Sequence, residues 1–159
     1  MKFNSALKNF VLVLFSTLLI SACSTAKKAA VDTVDDVYTG TDTVEYLANG
    51  VPDRVFFATN KSSLTTRSRD TLRKQATYLR KNKDLTVTIE GHGDERGTRE
   101  YNLALGERRA NAAKDYLMTY GVSGKRISVI SYGKEKPVNP ASSPLAWSQN
   151  RRSVTIKAN

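Results

Sequence analysis

Residues 84–121 restrict the fold of this chain more than any other stretch. Leu85, Val87 and Ile89 alternate with Thr86, Thr88 and Glu90. That period of two predicts a strand over Asp84–Glu90 with one buried and one wetter face. A polar loop bracketed by Gly91, Gly93 and Gly97 follows, and then a helix over about Glu100–Tyr120, with Gly121 placed to end it. Within the helix Leu103, Gly106, Ala110, Ala113 and Leu117 recur every three or four residues. They form a stripe for packing on a sheet, and its small members allow a close approach. A strand leading through a short loop into such a helix calls for a helix-on-sheet layer.

The flanking sequence extends this layer. Val51–Phe57 predicts a strand and Ala58–Ser63 a loop, and Thr65 or Thr66 caps a helix that runs to about Asn82. Leu72, Ala76 and Leu79 make its buried stripe, while Arg67, Arg73, Lys74, Arg80 and Lys81 make a solvated face. Ile127–Tyr132 predicts a third strand, Leu145–Asn150 a helical turn and Arg152–Lys157 a last strand. The order is βαβαβ and then β. It implies an α+β fold, with two main helices packed on a small mixed sheet, over residues 51–159.

The amino terminus concerns location. Lys2 and Lys8 flank the start of an apolar run over Phe10–Ile20, broken only by Ser16 and Thr17. The run falls short of the roughly 20 residues that span a bilayer and matches a secretory signal. Ile20-Ser21-Ala22-Cys23 resembles a bacterial lipobox. That resemblance implies removal of residues 1–22 and acylation of Cys23, whose several acyl chains give a stable membrane anchor. Ser24 resembles the class sorted to the outer membrane. The alternative is an ordinary signal peptide with an incidental cysteine. Residues 23–50 then read as the lipidated cysteine and a flexible tether, too sparse in hydrophobes to offset its ordering entropy. Cys23 is the sole cysteine, so no intrachain disulfide forms. The formal charge of +10 would suit nucleic acid, an acidic polymer or an anionic membrane. Export argues against nucleic acid, and loss of Lys2 and Lys8 with no acid takes +10 to +8.

The chemistry concentrates where loop meets helix. Asn102, Leu105 and Arg109 share a stripe that borders the core and faces the preceding loop. Arg108 lies about 100° round the helix and faces away. Asp94 sits beyond the strand's carboxyl end. Across a small cleft, Asp94 and Arg109 suit a group bearing both an ammonium and a carboxylate, because Arg grips a carboxylate with two parallel hydrogen bonds. The same pair equally suits a structural salt bridge closing the loop onto the helix. His92, the sole histidine, lacks the companions of a metal site and reads as a loop-packing residue. No nucleophile-and-base constellation surrounds Asp94 and Glu95, so no catalytic residue or cofactor is assigned. Trp147 is expected to pack over the core edge.

These pieces resemble the OmpA-like peptidoglycan-binding domain, and within it the peptidoglycan-associated lipoproteins of the Tol-Pal system. The matching runs are Glu90 to Thr98, Glu100-Tyr101-Asn102, Leu105 to Ala112, Ser131 to Pro137 and Asn150-Arg151-Arg152, in order and at family spacing. The resemblance implies non-covalent binding of the peptidoglycan stem peptide through meso-diaminopimelate. Asp94 and Arg109 match the family's ligand-binding pair, Leu105 a pocket-lining position, and Thr98 and Asn102 positions that shape the loop or touch ligand. Asn60 stands where the family usually has an acid, so it keeps a hydrogen-bonding oxygen and loses the charge. The loop before Asn150, with Ser142-Ser143-Pro144, is also less acidic than usual. Implied partners are the outer membrane through Cys23, TolB and the other Tol proteins, with roles in envelope integrity and outer-membrane constriction at division. Two other readings remain. One is a relative that anchors a different envelope machine; the other is a wall-cleaving enzyme, for which no metal or nucleophile set is found.

Overall fold

The computed structural model describes residues 36–158. The lipobox, Cys23 and the first part of the expected tether lie outside them. Four strands form the main sheet: β3 (Arg54–Phe56), β4 (Val87–His92), β5 (Ile127–Gly133) and β6 (Arg152–Lys157). Before them, β1 (Tyr46–Ala48) and β2 (Val51–Pro52) pair as a separate antiparallel hairpin. Among the described residues the α-helices are α1 (Thr66–Lys81), α2 (Arg99–Thr119) and the short α3 (Pro144–Asn150). Sheet order is β3-β6-β4-β5. β4 and β5 are parallel and joined through α2, whereas β6 runs antiparallel to both its neighbours. The sheet is therefore mixed and the fold α+β, as expected. Among the described residues no helix is long and apolar enough to cross a membrane.

Each main helix starts as its sequence dictates. Thr65 caps α1 by accepting the Ser68 N–H at 3.1 Å, and Thr98 caps α2 by accepting that of Tyr101 at 3.2 Å. Gly121 follows α2 with φ +82°, a conformation that other residues adopt only under strain. Leu72, Ala76 and Leu79 of α1 meet Ala110, Ala113 and Leu117 of α2 over Val55, Val87, Ile89 and Ile127 of the sheet. Gln75 joins the layers by donating to Pro52 O at 2.8 Å and accepting from Thr155 Oγ1 at 2.9 Å.

The small stripe of α2 does what its composition suggests. A Cβ built on Gly91 would lie 1.9 Å from Gly106 O, and one on Gly106 would lie 2.3 Å from Ser131 Oγ. Helix backbone thus rests directly on strand backbone, and Ser131 Oγ donates to Leu103 O at 2.7 Å to fix the contact.

Three boundaries differ from the sequence expectations. β4 runs on through Gly91 and His92, because its ladder with β5 continues to Gly133. The polar loop therefore begins at Gly93. The strand expected over Val51–Phe57 is two strands, parted at Asp53, whose buried carboxylate accepts from Glu45 N and from Arg54. The tether expected up to residue 50 is packed from Tyr38 onward. Tyr38 and Leu47 are buried, and Tyr38 meets Phe56 edge-on at 4.8 Å. Asn49-Gly50, with Gly50 at φ +72°, is a turn signal that marks this hairpin in the sequence.

Gly91→Ala is expected to lower unfolding free energy by at least about 2–3 kcal/mol, since the new methyl meets backbone that cannot step aside. Urea denaturation of the variant against the wild type measures this.

Candidate functional site

Three loops meet at one end of the sheet. The first follows β3, the second follows β4 and the third leads from α3 into β6. Residues 36–38 lie against them. Together they enclose a groove of about 400 Å³ lined by Asp36, Val37, Thr59, Arg96, Pro144, Leu145, Trp147, Ser148 and Arg151.

Asp94 sits just past the carboxyl end of β4, as expected, and is buried. Its partners are not the expected one. Arg96 Nη2 donates to its Oδ2 at 2.6 Å and Arg96 Nε to its Oδ1 at 3.1 Å, and the Arg96 backbone N–H also donates to Oδ1. Arg151 Nη1 donates to Oδ2 at 3.3 Å. Burial works to raise the carboxyl's pKa, but these bonds outweigh it and hold Asp94 below its ordinary 3.8.

Arg109 corrects the expectation of two side chains facing each other across a cleft. It is wholly buried and its three nitrogens donate to backbone carbonyls: Nε to Lys61 O at 2.9 Å, Nη1 to His92 O at 2.8 Å and Nη2 to Ala58 O at 3.2 Å. No carboxylate among the described residues forms an ion pair with it, which removes the alternative of an Asp94–Arg109 salt bridge. The Arg109 guanidinium lies 5.4 Å from the centre of the Phe57 ring. Burial, with Arg151 adding, pushes its pKa down to about 10, so it stays cationic at neutral pH. The reason is geometric: α2 approaches so closely at Gly106 that Arg109, one turn on, enters the floor of the loops rather than their mouth.

The other expected residues divide between scaffold and surface. Asn102 is buried and its Nδ2 donates to Arg96 O at 2.7 Å and Thr98 O at 3.1 Å, which fixes the turn that presents Arg96. Thr98 is the α2 cap described above. Leu105 is buried on the same stripe, and Arg108 is exposed. Asn60 is exposed at φ +55°, a left-handed conformation that Asn tolerates better than most side chains. It forms the shoulder of the turn that begins at Ala58, beside the groove rather than in it. Trp147 is half-buried; its Nε1 donates to Glu95 Oε1 at 2.8 Å, and Arg96 lies 4.4 Å over its ring. It therefore clasps the Asp94 loop.

The sequence leaves open which of Arg151 and Arg152 bonds loop carbonyls or an acid; the structure gives that role to Arg151. Its guanidinium is buried, and Nε donates to Phe57 O at 3.0 Å. It also reaches Asp36, whose Oδ2 accepts the Thr59 N–H at 2.6 Å. Arg151 lies in the matching run Asn150-Arg151-Arg152, yet nothing in the periodicity of β6 separates it from Arg152. Arg152 donates elsewhere, to Lys136 O at 3.2 Å. The resulting site carries three guanidiniums, of Arg96, Arg109 and Arg151, against the carboxylates of Asp94 and Asp36. Such a cleft offers an acceptor to an ammonium and a positive field to a carboxylate.

His92 lies beneath this floor and is packed, as a loop-packing histidine should be. Its ring stacks on Tyr132 at 5.6 Å, and neither ring nitrogen has a hydrogen-bond partner among the described residues. Burial, with Arg152, Lys136 and Arg54 adding, pushes its pKa down to about 3.

Known proteins resemble this chain in both sequence and structure. Residues 56–151 match the model of the OmpA family. A peptidoglycan-associated lipoprotein of Rhizobium meliloti is 56% identical over 106 residues, covering 67% of this chain and 60% of that protein. One of Brucella melitensis is 42% identical over 151 residues, covering 91% of this chain and 89% of the relative. The crystal structure of the peptidoglycan-associated lipoprotein from Burkholderia pseudomallei superposes with a TM-score of 0.65 at 37% identity, covering 67% of this chain and 90% of that one.

Two predictions follow from this geometry. Arg109→Ala leaves three buried carbonyls without their donor and is expected to cost about 3 kcal/mol or more of stability. Its thermal midpoint should drop by several degrees, whereas Arg108→Ala should leave it in place. For His92, the unfolded state takes up a proton near the ordinary 6.5 and the folded state only near 3. Stability should therefore fall as pH drops from about 6.5 towards 3 and be unaffected above. His92→Phe should flatten that slope in urea titrations at stepped pH.

Proposed function

Because the chain belongs to the OmpA family, we propose that it is an envelope lipoprotein whose folded domain binds peptidoglycan without covalent attachment. The observation that carries this is the cleft itself. A buried carboxylate, Asp94, stands beside Arg96 and Arg151, above the cationic Arg109. A diaminopimelate side chain presents an ammonium and a carboxylate on one carbon, and few groups of the wall match such a mixed receptor. Asp94 accepts from the ammonium. The three guanidiniums favour the carboxylate, and Arg109 supports the loops that hold both. Asn102 and Thr98 contribute by fixing the turn, Leu105 by filling the space beneath it and Asn60 by shaping the neighbouring turn.

The chain acts as a binding module, with no reaction at the cleft. Acylation at Cys23 would anchor the chain in the outer membrane. Grip on the wall at one end and on the membrane at the other couples the two layers. Recruitment by TolB and the other Tol proteins would direct that coupling to the constricting envelope during division. These last roles rest on the resemblance to peptidoglycan-associated lipoproteins.

Purified protein should cosediment with diaminopimelate-type sacculi, and not with walls in which lysine, lacking the side-chain carboxylate, takes that place. Asp94→Asn keeps the size of the side chain and should weaken cosedimentation tenfold or more, the range of a lost charge-assisted bond. Equal binding of both wall types, or full binding by Asp94→Asn, would sink the assignment.

A further inference from the structure

The cleft has a second arginine, one of whose nitrogens faces the groove. Arg109 spends all three nitrogens on carbonyls. Arg151 spends Nε on Phe57 O and Nη1 on Asp94. Its remaining nitrogen, Nη2, turns to the groove and meets the chain's own Asp36: it donates to the Asp36 carbonyl and lies 3.6 Å from Oδ2. That same Oδ2 accepts the Thr59 N–H. A peptide N–H and a guanidinium thus converge on one carboxylate oxygen, at the wall of the groove and next to the Asp94 carboxylate. Arg96, whose Nη2 also touches Thr59 Oγ1 at 3.3 Å, adds positive charge from the other side.

Asp36 is built differently from its receptors. The Arg151 side chain is 4% exposed and that of Asp36 is 44% exposed. Asp36 also belongs to the segment that leads into the domain and not to the sheet or helices. An ion pair with one exposed partner holds weakly, whereas Arg151, which receives it, is buried and held by Phe57 O and Asp94.

We propose that Arg151 Nη2 and the Thr59 N–H form the carboxylate-receiving corner of the cleft, that Asp36 fills this corner in the free protein, and that a carboxylate of the wall peptide displaces it. The inference rests on the peptidoglycan reading above. It adds Arg151 to the groups that touch ligand. Asp36 then acts as an internal competitor, and apparent affinity is reduced by the fraction of molecules in which it is seated. Its Oδ2 bonds keep it ionised: burial opposes this, and Thr59, Arg151 and Arg96 prevail.

The test is calorimetric titration of the full chain, in detergent, with a soluble diaminopimelate muropeptide and with the same muropeptide amidated at its side-chain carboxylate. Asp36→Asn should tighten binding of the acid form about two- to fivefold, the range of an exposed ion pair. The exposed Asp84→Asn removes the same charge elsewhere and should leave affinity unchanged. Amidation should weaken wild-type binding, and Asp36→Asn should give no gain with the amidated form. Arg151→Lys should weaken binding of the acid form and erase the gain from Asp36→Asn. Wild-type affinity in Asp36→Asn, or an equal gain in Asp84→Asn, overturns the corner while leaving the peptidoglycan reading in place. A wild-type chain that binds neither muropeptide sinks that reading and this inference together.

Discussion

A single buried cation organises the working end of this molecule. Arg109 comes from α2, yet its hydrogen bonds go to Ala58 and Lys61 in the loop after β3 and to His92 at the end of β4. Carbonyls from one loop and from the end of a strand are thereby held at fixed distances from one helix. An uncompensated guanidinium in the interior is costly, and three carbonyl dipoles with the face of Phe57 offset part of that cost. What remains is a standing positive charge beneath the cleft. Arg151 lies close enough for the two cations to oppose each other, and Asp94 is the nearby carboxylate that eases both. The polarity of the site is therefore set below its surface, and groove side chains such as Arg96 and Asp36 respond to it.

Much of this was legible before any coordinates. The alternation of Leu85, Val87 and Ile89 placed β4, and the stripe through Gly106, Ala110 and Ala113 placed α2 on it. Both patterns are local, because pleat and helical pitch project directly onto sequence spacing. The extension of β4 through Gly91 and His92 was not legible, since glycine next to a polar residue looks like loop unless the parallel partner up to Gly133 is known. The Asn49-Gly50 turn was present but stood among few hydrophobes, and its hairpin is stabilised by Asp53, which also breaks the neighbouring strand.

The site was half legible for a similar reason. Asp94, Asn102 and Arg109 lie on one loop and one helix, so spacing brings them together. Their bonding partners do not lie there: Lys61 and Ala58 are 48 and 51 residues from Arg109, and Phe57 is 94 from Arg151. Side-chain-to-carbonyl bonds over such separations leave no periodic trace. Spacing correctly put Arg109 on the face towards the loop and Arg108 on the face away from it. How deep Arg109 would sink depended on the backbone contact between Gly91 and Gly106, which spacing alone does not measure.

The place of β6 in the sheet has a consequence for how the chain reaches this state. The last strand in sequence is an interior strand in space, between β3 and β4. Until residues 152–157 are available, β3 has no partner in the main sheet, and Arg151 cannot bridge Phe57 and Asp94. A chain delivered amino end first must therefore present residues 152–157 before the sheet can close. Topology thus leaves β3 unpaired in the main sheet, while β4 and β5 can already pair, for as long as β6 is awaited.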